Sequence, residues 1–172
     1  MRKALCVGID SYEEVDDLHG CVNDANSVKA ALERNGDGTL NFDVKIMCAT
    51  SEASYITRTE LKDAVEELFK SESEIALFYY SGHGSIDISG GYLCTSEVKR
   101  PDEGLSLNDV MALVSQSRAQ NKIIILDSCF SGNIANPTEM PHYSLLHNGT
   151  TILAACGEDE YATEEHSHGV YT

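Results

Sequence analysis

The sequence lacks tryptophan, has three prolines, and contains no apolar run near the roughly 20 residues that a membrane-spanning helix requires. These absences exclude a proline-rich linker and favour a chain without a membrane partner. The start, MRKALCVGID, has a basic pair but too short an apolar run for a signal peptide, so it predicts a first strand. A length of 172 residues with 42% hydrophobic side chains predicts one soluble globular domain over 1–172.

The six cysteines form no CxxC pair, and most lie inside apolar, strand-like runs. This pattern disfavours a disulfide framework and a zinc knuckle, and it favours reduced thiols and a cytoplasmic location. The cysteines are Cys6, Cys21, Cys48, Cys94, Cys129 and Cys156.

Positive charge is scarce, since 12 Lys and Arg face 28 Asp and Glu for a net charge of −16. Such a surface disfavours nucleic acid and anionic membranes as partners and favours cationic ones. No basic residue follows Lys122, whereas acids continue to Glu165. This half of the chain is either a solvated acidic face or the lining of a site for something basic.

Strand-like and helix-like segments alternate along the chain, which predicts an α/β fold with a mostly parallel sheet and helices on both faces. The helices should start at Asn23 or Asp24, at Thr57 or Thr59, and at Ser106. SIDISGGYLCTSEV predicts a hairpin that turns at Ser89-Gly90-Gly91. The strands are ALCVGID, FDVKIMC, EIALFYYSG, NKIIILDS and GTTILAAC.

Two of these strands end in reactive side chains: IALFYYSGHG leads to His83, and IIILDSCFSG leads to Cys129. If the two strands are parallel neighbours, both side chains emerge at the carboxyl edge of the sheet, where ligands bind in such folds. An imidazole beside a thiol raises the thiolate fraction or accepts the proton. The backbone N–H groups of Gly84 and Cys129 are candidate donors to an oxyanion.

YYSGHG and DSCFSG, together with LHGCVNDANSVKAAL after the first strand, resemble caspase-like cysteine proteases of peptidase family C14. They are most similar to metacaspases and their bacterial relatives, the orthocaspases. The resemblance implies a caspase-like three-layer sandwich and a cysteine endopeptidase that cleaves protein or peptide substrates after Arg or Lys. It implies His83 as base and Cys129 as nucleophile. It also implies a pocket for the basic side chain formed by Asp24, Ser81 and Asp127.

The sequence departs from the family pattern in its acids. The acid-poor segment after the histidine and the lone Glu139 beyond the cysteine argue against a calcium site, and we expect no metal or cofactor. Self-cleavage after the cysteine has no basic residue to use, and the Lys99-Arg100 pair precedes Pro101, which disfavours cleavage there.

The end of the chain, HGVYT, falls where the family fold normally continues, so the chain should be the large, p20-like part, either as a processed fragment or as a domain cut from a longer protein. We therefore expect a C-terminal fragment of the same fold as a partner, and an activating protease or regulatory protein as another. The family resemblance suggests a regulated role in stress, defence or cell-death signalling.

Two other functions stay open. The chain is alternatively a catalytically silent, caspase-like scaffold, although both His83 and Cys129 are present. A metalloenzyme using His83, Cys94, Cys129 or the HSH of His166 and His168 is disfavoured, because zinc ligands usually come in short pairs.

Four side chains also have two interpretations each. Cys21 is either a secondary thiol at the pocket rim or a core thiol under the first helix. Asp127 either contacts a substrate cation or orders its loop by accepting backbone N–H groups. Tyr79 and its neighbour Tyr80 either pack the strand or contact the substrate backbone.

Overall fold

The computed structural model describes residues 1–100, 103–128 and 149–154, together with the backbone of 130–131, 164–165 and 168–169. Within that part of the chain, no helix has the length and apolar composition needed to cross a membrane. The helices are α1 (Cys21–Glu33), α2 (Arg58–Lys70) and α3 (Leu107–Ser115), with a 3-10 turn at Glu52–Ser54. The strands are β1 (Arg2–Ile9), β2 (Phe42–Ala49), β3 (Ile75–Ser81), β4 (Gly84–Asp87), β5 (Gly90–Leu93), β6 (Leu105–Ser106), β7 (Asn121–Asp127), β8 (Phe130–Ser131), β9 (Thr150–Ala154), β10 (Glu164–Glu165) and β11 (His168–Gly169).

The central sheet has five parallel strands in the order β2-β1-β3-β7-β9, which confirms the expected α/β architecture. β3 and β7 are direct neighbours, as the two reactive strand ends require. Their carboxyl ends therefore meet at one edge of the sheet.

Successive strand residues point to opposite sides of the sheet. Both sides carry apolar residues, and helices cover both faces. On one face, which we call the α1 face, Cys6, Leu77 and Tyr79 pack against Ala25 of α1. On the other, the α2–α3 face, a larger apolar cluster joins the sheet to α2 and α3. That cluster includes Leu5, Val7, Ile9, Phe78, Tyr80, Leu61, Val65, Phe69, Val110 and Val114.

The start of α1 differs from the expectation, since the helix begins at Cys21 with Gly20 as N-cap and not at Asn23 or Asp24. The carboxylate of Asp10, just past β1, accepts the N–H groups of Cys21 at 2.9 Å and of Val22 at 3.3 Å. A side chain from another element thus satisfies the helix N-terminus, and this removes the need for a capping residue next to it in sequence. The other two caps, Thr57 and Ser106, are as predicted.

A second, four-stranded sheet of order β6-β5-β4-β8 lies beyond the carboxyl edge of β3 and β7. β4 and β5 form the predicted hairpin, but its turn lies at Ile88 and Ser89, because Gly90 already pairs with Asp87. β4 and β8 pair in parallel, so the segments that follow β3 and β7 remain side by side after the central sheet ends.

Candidate active site

A row of aligned residues crosses the carboxyl edge of the central sheet. Gly8 of β1 is the register partner of Ser81, and Ser81 is the partner of Asp127. Ser81 and Asp127 are both buried, at 2% and 5% exposure, and both point to the α1 face with Tyr79. Two of the three residues predicted for the basic-side-chain pocket therefore lie side by side.

The third pocket residue, Asp24, belongs to the first turn of α1 and is 1% exposed. That turn lies directly on Gly8, where a Cβ atom would stand 2.4 Å from the carbonyl oxygen of Cys21 and 2.9 Å from the Cβ of Ala25. Residues three and four apart share one side of a helix, so Asp24 lies on the same side as Cys21 and Ala25. Asp24 therefore faces the end of the sheet at the row that contains Ser81 and Asp127.

The carboxylate of Asp127 accepts a hydrogen bond of 3.0 Å from the hydroxyl of Tyr79, which is 1% exposed. A buried carboxylate is costly unless polar groups or a cation replace its water. Tyr79 supplies one such group, and it also packs in the strand, so its role combines packing with orientation of Asp127.

His83 lies two residues past the end of β3 and is partly exposed. Its backbone is held at both ends: its N–H donates to the hydroxyl of Tyr12 at 2.8 Å, and its carbonyl accepts from the hydroxyl of Tyr80 at 2.8 Å and from the N–H of Cys94 at 2.9 Å. The rings of Tyr12 and His83 are tilted by 51°, with centroids 4.8 Å apart.

The imidazole of His83 has a defined partner, since its Nε2 lies 2.8 Å from the carbonyl oxygen of Asp16. A carbonyl only accepts hydrogen bonds, so this contact requires the proton on Nε2 and leaves Nδ1 as the basic nitrogen of the neutral ring. The Asp16 carbonyl thus selects the Nε2–H tautomer of the neutral ring.

Cys129 lies outside the described residues, but its neighbours on both sides are described. Before it, Asp127 pairs with Ser81, two residues ahead of His83. After it, Phe130 pairs with Gly84, the residue that follows His83. The histidine and cysteine motifs therefore run in the same register on both sides of the two reactive residues.

The hydrogen bond from Cys94 to the His83 carbonyl makes Gly84 and Leu93 a non-hydrogen-bonded pair of the β4–β5 ladder. The N–H of Gly84 consequently points away from β5 and towards β8. The roles of the Gly84 and Cys129 N–H groups as oxyanion donors remain predictions.

Comparison with known proteins agrees with this geometry. A family model of the caspase domain, peptidase family C14, matches residues 1–172. The chain belongs to this family of caspase-domain peptidases. It therefore has the caspase-like fold that its motifs predicted.

Relatives of this caspase domain include metacaspases from fungi and plants. Metacaspase-1 of Candida albicans is 27% identical over 153 residues, which cover 77% of this chain and 34% of that protein. Metacaspase-1 of Saccharomyces cerevisiae is 29% identical over 150 residues, with 77% and 34% covered. Metacaspase-8 of Arabidopsis thaliana is 30% identical over 145 residues, with 77% and 38% covered. The caspase domain thus spans 34% to 38% of the length of these relatives.

Three other thiols among the described residues are buried and poorly suited to attack. Burial raises the pKa of Cys6 to about 12 and also raises the pKa of Cys94. Cys21 is buried at 6% exposure at the start of α1, which agrees with a core thiol better than with an accessible secondary one. Across the described parts of the chain, no three His, Cys, Asp or Glu side chains are grouped as metal ligands.

Sequence reasoning missed Tyr12 and Asp16, which contact His83 from the loop after β1. That loop has no hydrophobic periodicity, and the Asp16 contact uses a backbone carbonyl, which any residue type provides. The sequence shows only that this loop directly follows the first strand. The pairing of that strand with β3, which brings the loop to His83, is seen in the structure.

Proposed function

We propose that the caspase domain is a cysteine endopeptidase that cleaves proteins after Arg or Lys, with Cys129 as nucleophile and His83 as base. One observation carries the proposal: the histidine and cysteine motifs are paired before and after the reactive residues, at Ser81–Asp127 and at Gly84–Phe130. The family membership and the metacaspase names of the relatives support the same chemistry.

The reaction would use the tautomer that Asp16 imposes. The Nδ1 atom of His83 takes the thiol proton of Cys129, and the thiolate attacks the carbonyl carbon of the scissile peptide bond. The N–H groups of Gly84 and Cys129 stabilise the oxyanion, and the imidazolium returns the proton to the leaving amine. Water then hydrolyses the thioester with His83 as base, which regenerates the thiol.

Specificity for a basic residue would come from the carboxylates of Asp24 and Asp127, with the hydroxyl of Ser81 beside them. Both acids are buried, at 1% and 5% exposure; Asp127 lies at the carboxyl edge of the sheet, and Asp24 lies in the first turn of α1, which packs on Gly8 at that edge. An arginine side chain offers a bidentate fork that suits a carboxylate, and its charge compensates the buried acids. This arrangement supports cleavage after Arg or Lys better than after an acidic residue.

For the complete protein we propose a regulated protease in stress, defence or cell-death signalling. A C-terminal fragment of the same fold, and an activating protease or regulatory protein, remain its proposed partners. The acidic surface supports basic protein substrates.

A library of short fluorogenic peptides, varied at the residue before the scissile bond, tests the activity and the specificity together. We expect turnover for Arg and Lys peptides, and loss of turnover in both Cys129→Ala and His83→Ala with unchanged far-UV circular dichroism. If Cys129→Ala keeps more than a few per cent of activity, another group is the nucleophile.

The scaffold alternative makes a different prediction for a thiol-reactive arginyl ketone. A peptidase is labelled at Cys129, and Asp127→Ala reduces the labelling rate. A silent scaffold is not labelled there, and absence of both labelling and turnover would overturn the proposed function.

A further inference from the structure

We propose that Tyr12 is a positioning residue for the catalytic base, holding His83 through both its hydroxyl and its ring. This inference rests on the proposed function, and it adds a residue outside the two sequence motifs. Tyr12 itself need not touch the substrate, because it would act through His83.

Two contacts join the residues directly. The Tyr12 hydroxyl accepts the backbone N–H of His83 at 2.8 Å, and the two rings stand 4.8 Å apart between centroids. The first contact fixes the start of the segment that carries the imidazole. The second limits rotation of the imidazole, because the tyrosine ring occupies one side of it.

Tyr12 is itself rigidly held, which a positioning residue requires. It is 5% exposed, and its N–H donates to the carboxylate of Asp17 at 2.8 Å. Burial raises the pKa of Tyr12 well above its ordinary value, so the hydroxyl keeps its proton and stays neutral beside the base.

A second tyrosine completes the support. The hydroxyls of Tyr12 and Tyr80 both lie beside Gly82, and Tyr80 donates to the carbonyl of His83. They lie so close to Gly82 that a Cβ atom there would be 2.7 Å from the hydroxyl of Tyr80 and 2.8 Å from that of Tyr12. The pair therefore encloses the peptide that leads into His83.

Tyr12 also starts the loop that supplies Asp16. The bond from the Tyr12 N–H to Asp17 closes the turn in which the Asp16 carbonyl meets Nε2 of His83. One short loop thus sets the backbone, the ring orientation and the tautomer of the base.

Tyr12→Phe removes the hydroxyl alone, and Tyr12→Leu removes the ring as well. Tyr55→Phe is the matched control, since it deletes one hydrogen bond to Tyr12 but leaves the hydroxyl of Tyr12 in place. We expect Tyr12→Phe to lower kcat about tenfold, the scale of one lost hydrogen bond on a catalytic group, with KM within about twofold. Tyr12→Leu should lose more, and Tyr55→Phe should stay within about twofold of the unaltered protein.

Active-site titration separates positioning from general damage, because a misfolded fraction lowers the concentration of active enzyme but leaves kcat per active site unchanged. Equal kcat in Tyr12→Phe and Tyr55→Phe, at equal active-site concentration, would overturn the inference. If the unaltered protein cleaves no peptide, the proposed function fails, and nitrogen NMR of the His83 ring still decides the inference. A ring held as the Nε2–H tautomer in the unaltered protein and mixed in Tyr12→Phe supports it, whereas identical spectra refute it.

Discussion

The two faces of the central sheet end differently at the carboxyl edge. The α1 face ends in buried carboxylates, Asp24 and Asp127, with the hydroxyls of Ser81 and Tyr79 beside them. The α2–α3 face ends in the neutral hydroxyls of Tyr12 and Tyr80, which enclose the backbone before His83. Under the proposed function, the acidic face would bind the substrate cation and the neutral face would hold the base.

This division follows from the alternation of β3. Tyr79 and Ser81 point to the α1 face, and Tyr80 points to the α2–α3 face. The adjacent tyrosines therefore contact different groups: Tyr79 contacts Asp127, and Tyr80 contacts the His83 carbonyl. The buried acids and the hydroxyls that hold the backbone of His83 therefore lie on opposite faces of the sheet.

The largest expected effect comes from Asp127→Ala, which would remove one of the two charges from the acidic face. Turnover of Arg and Lys peptides should fall about 100-fold or more, because a buried cation loses a charge-assisted partner. Alkylation of Cys129 by a small neutral reagent, which does not use the pocket, should stay unchanged, because the base lies on the other face. Peptide turnover and site-resolved alkylation, measured by mass spectrometry, test the two parts separately.

Asp127→Asn is the matched control, since it keeps the shape and loses the charge. Equal loss for neutral and basic peptides would contradict the pocket assignment. So would a preference for Asp before the scissile bond in the unaltered protein.

The sequence predicted the elements that depend on local pattern. The apolar runs that end at Ser81 and Asp127 predicted two strands, which are neighbours in the sheet, whereas the catalytic roles of His83 and Cys129 stay predictions. The start of α1 was not predictable, because Asp10 caps it from another element. The contacts of Tyr12 and Asp16 with His83 also required the tertiary structure, since their loop meets β3 only through strand pairing.

Glycine substitutions offer a matched pair, one for each face. Gly82→Ala would place a Cβ atom 2.7 and 2.8 Å from two tyrosine hydroxyls on the neutral face. We expect kcat to fall about tenfold and the free energy of unfolding to fall by about 1–3 kcal/mol, with the ratio of Arg to neutral turnover unchanged. Stopped assays with both peptides and urea unfolding measure these quantities.

Gly8→Ala disturbs the acidic face instead, with a Cβ atom 2.4 Å from the carbonyl oxygen of Cys21. This neighbour is backbone, so α1 has to shift and carry Asp24 with it. KM for Arg peptides should rise about fivefold, a loss of about 1 kcal/mol in binding, while kcat changes less than in Gly82→Ala. If both variants changed KM and kcat in the same proportion, the two faces would not act separately.

The smallest expected effect is that of calcium on the caspase domain. Calcium takes six to eight oxygen ligands, typically from several carboxylates. In the hairpin after His83, the carboxylate of Asp87 already accepts the N–H and hydroxyl of Ser89 at 2.7 and 2.6 Å, which also lowers its pKa. Glu139, the acid expected beyond the cysteine, lies outside the described residues.

With a net charge of −16, divalent ions should still screen the attraction for basic peptides. We therefore expect millimolar calcium and millimolar magnesium to lower turnover slightly and equally, relative to chelator at matched ionic strength. Activation of many-fold by calcium alone would show that the loops after His83 and Cys129 build a site that their sequences do not reveal.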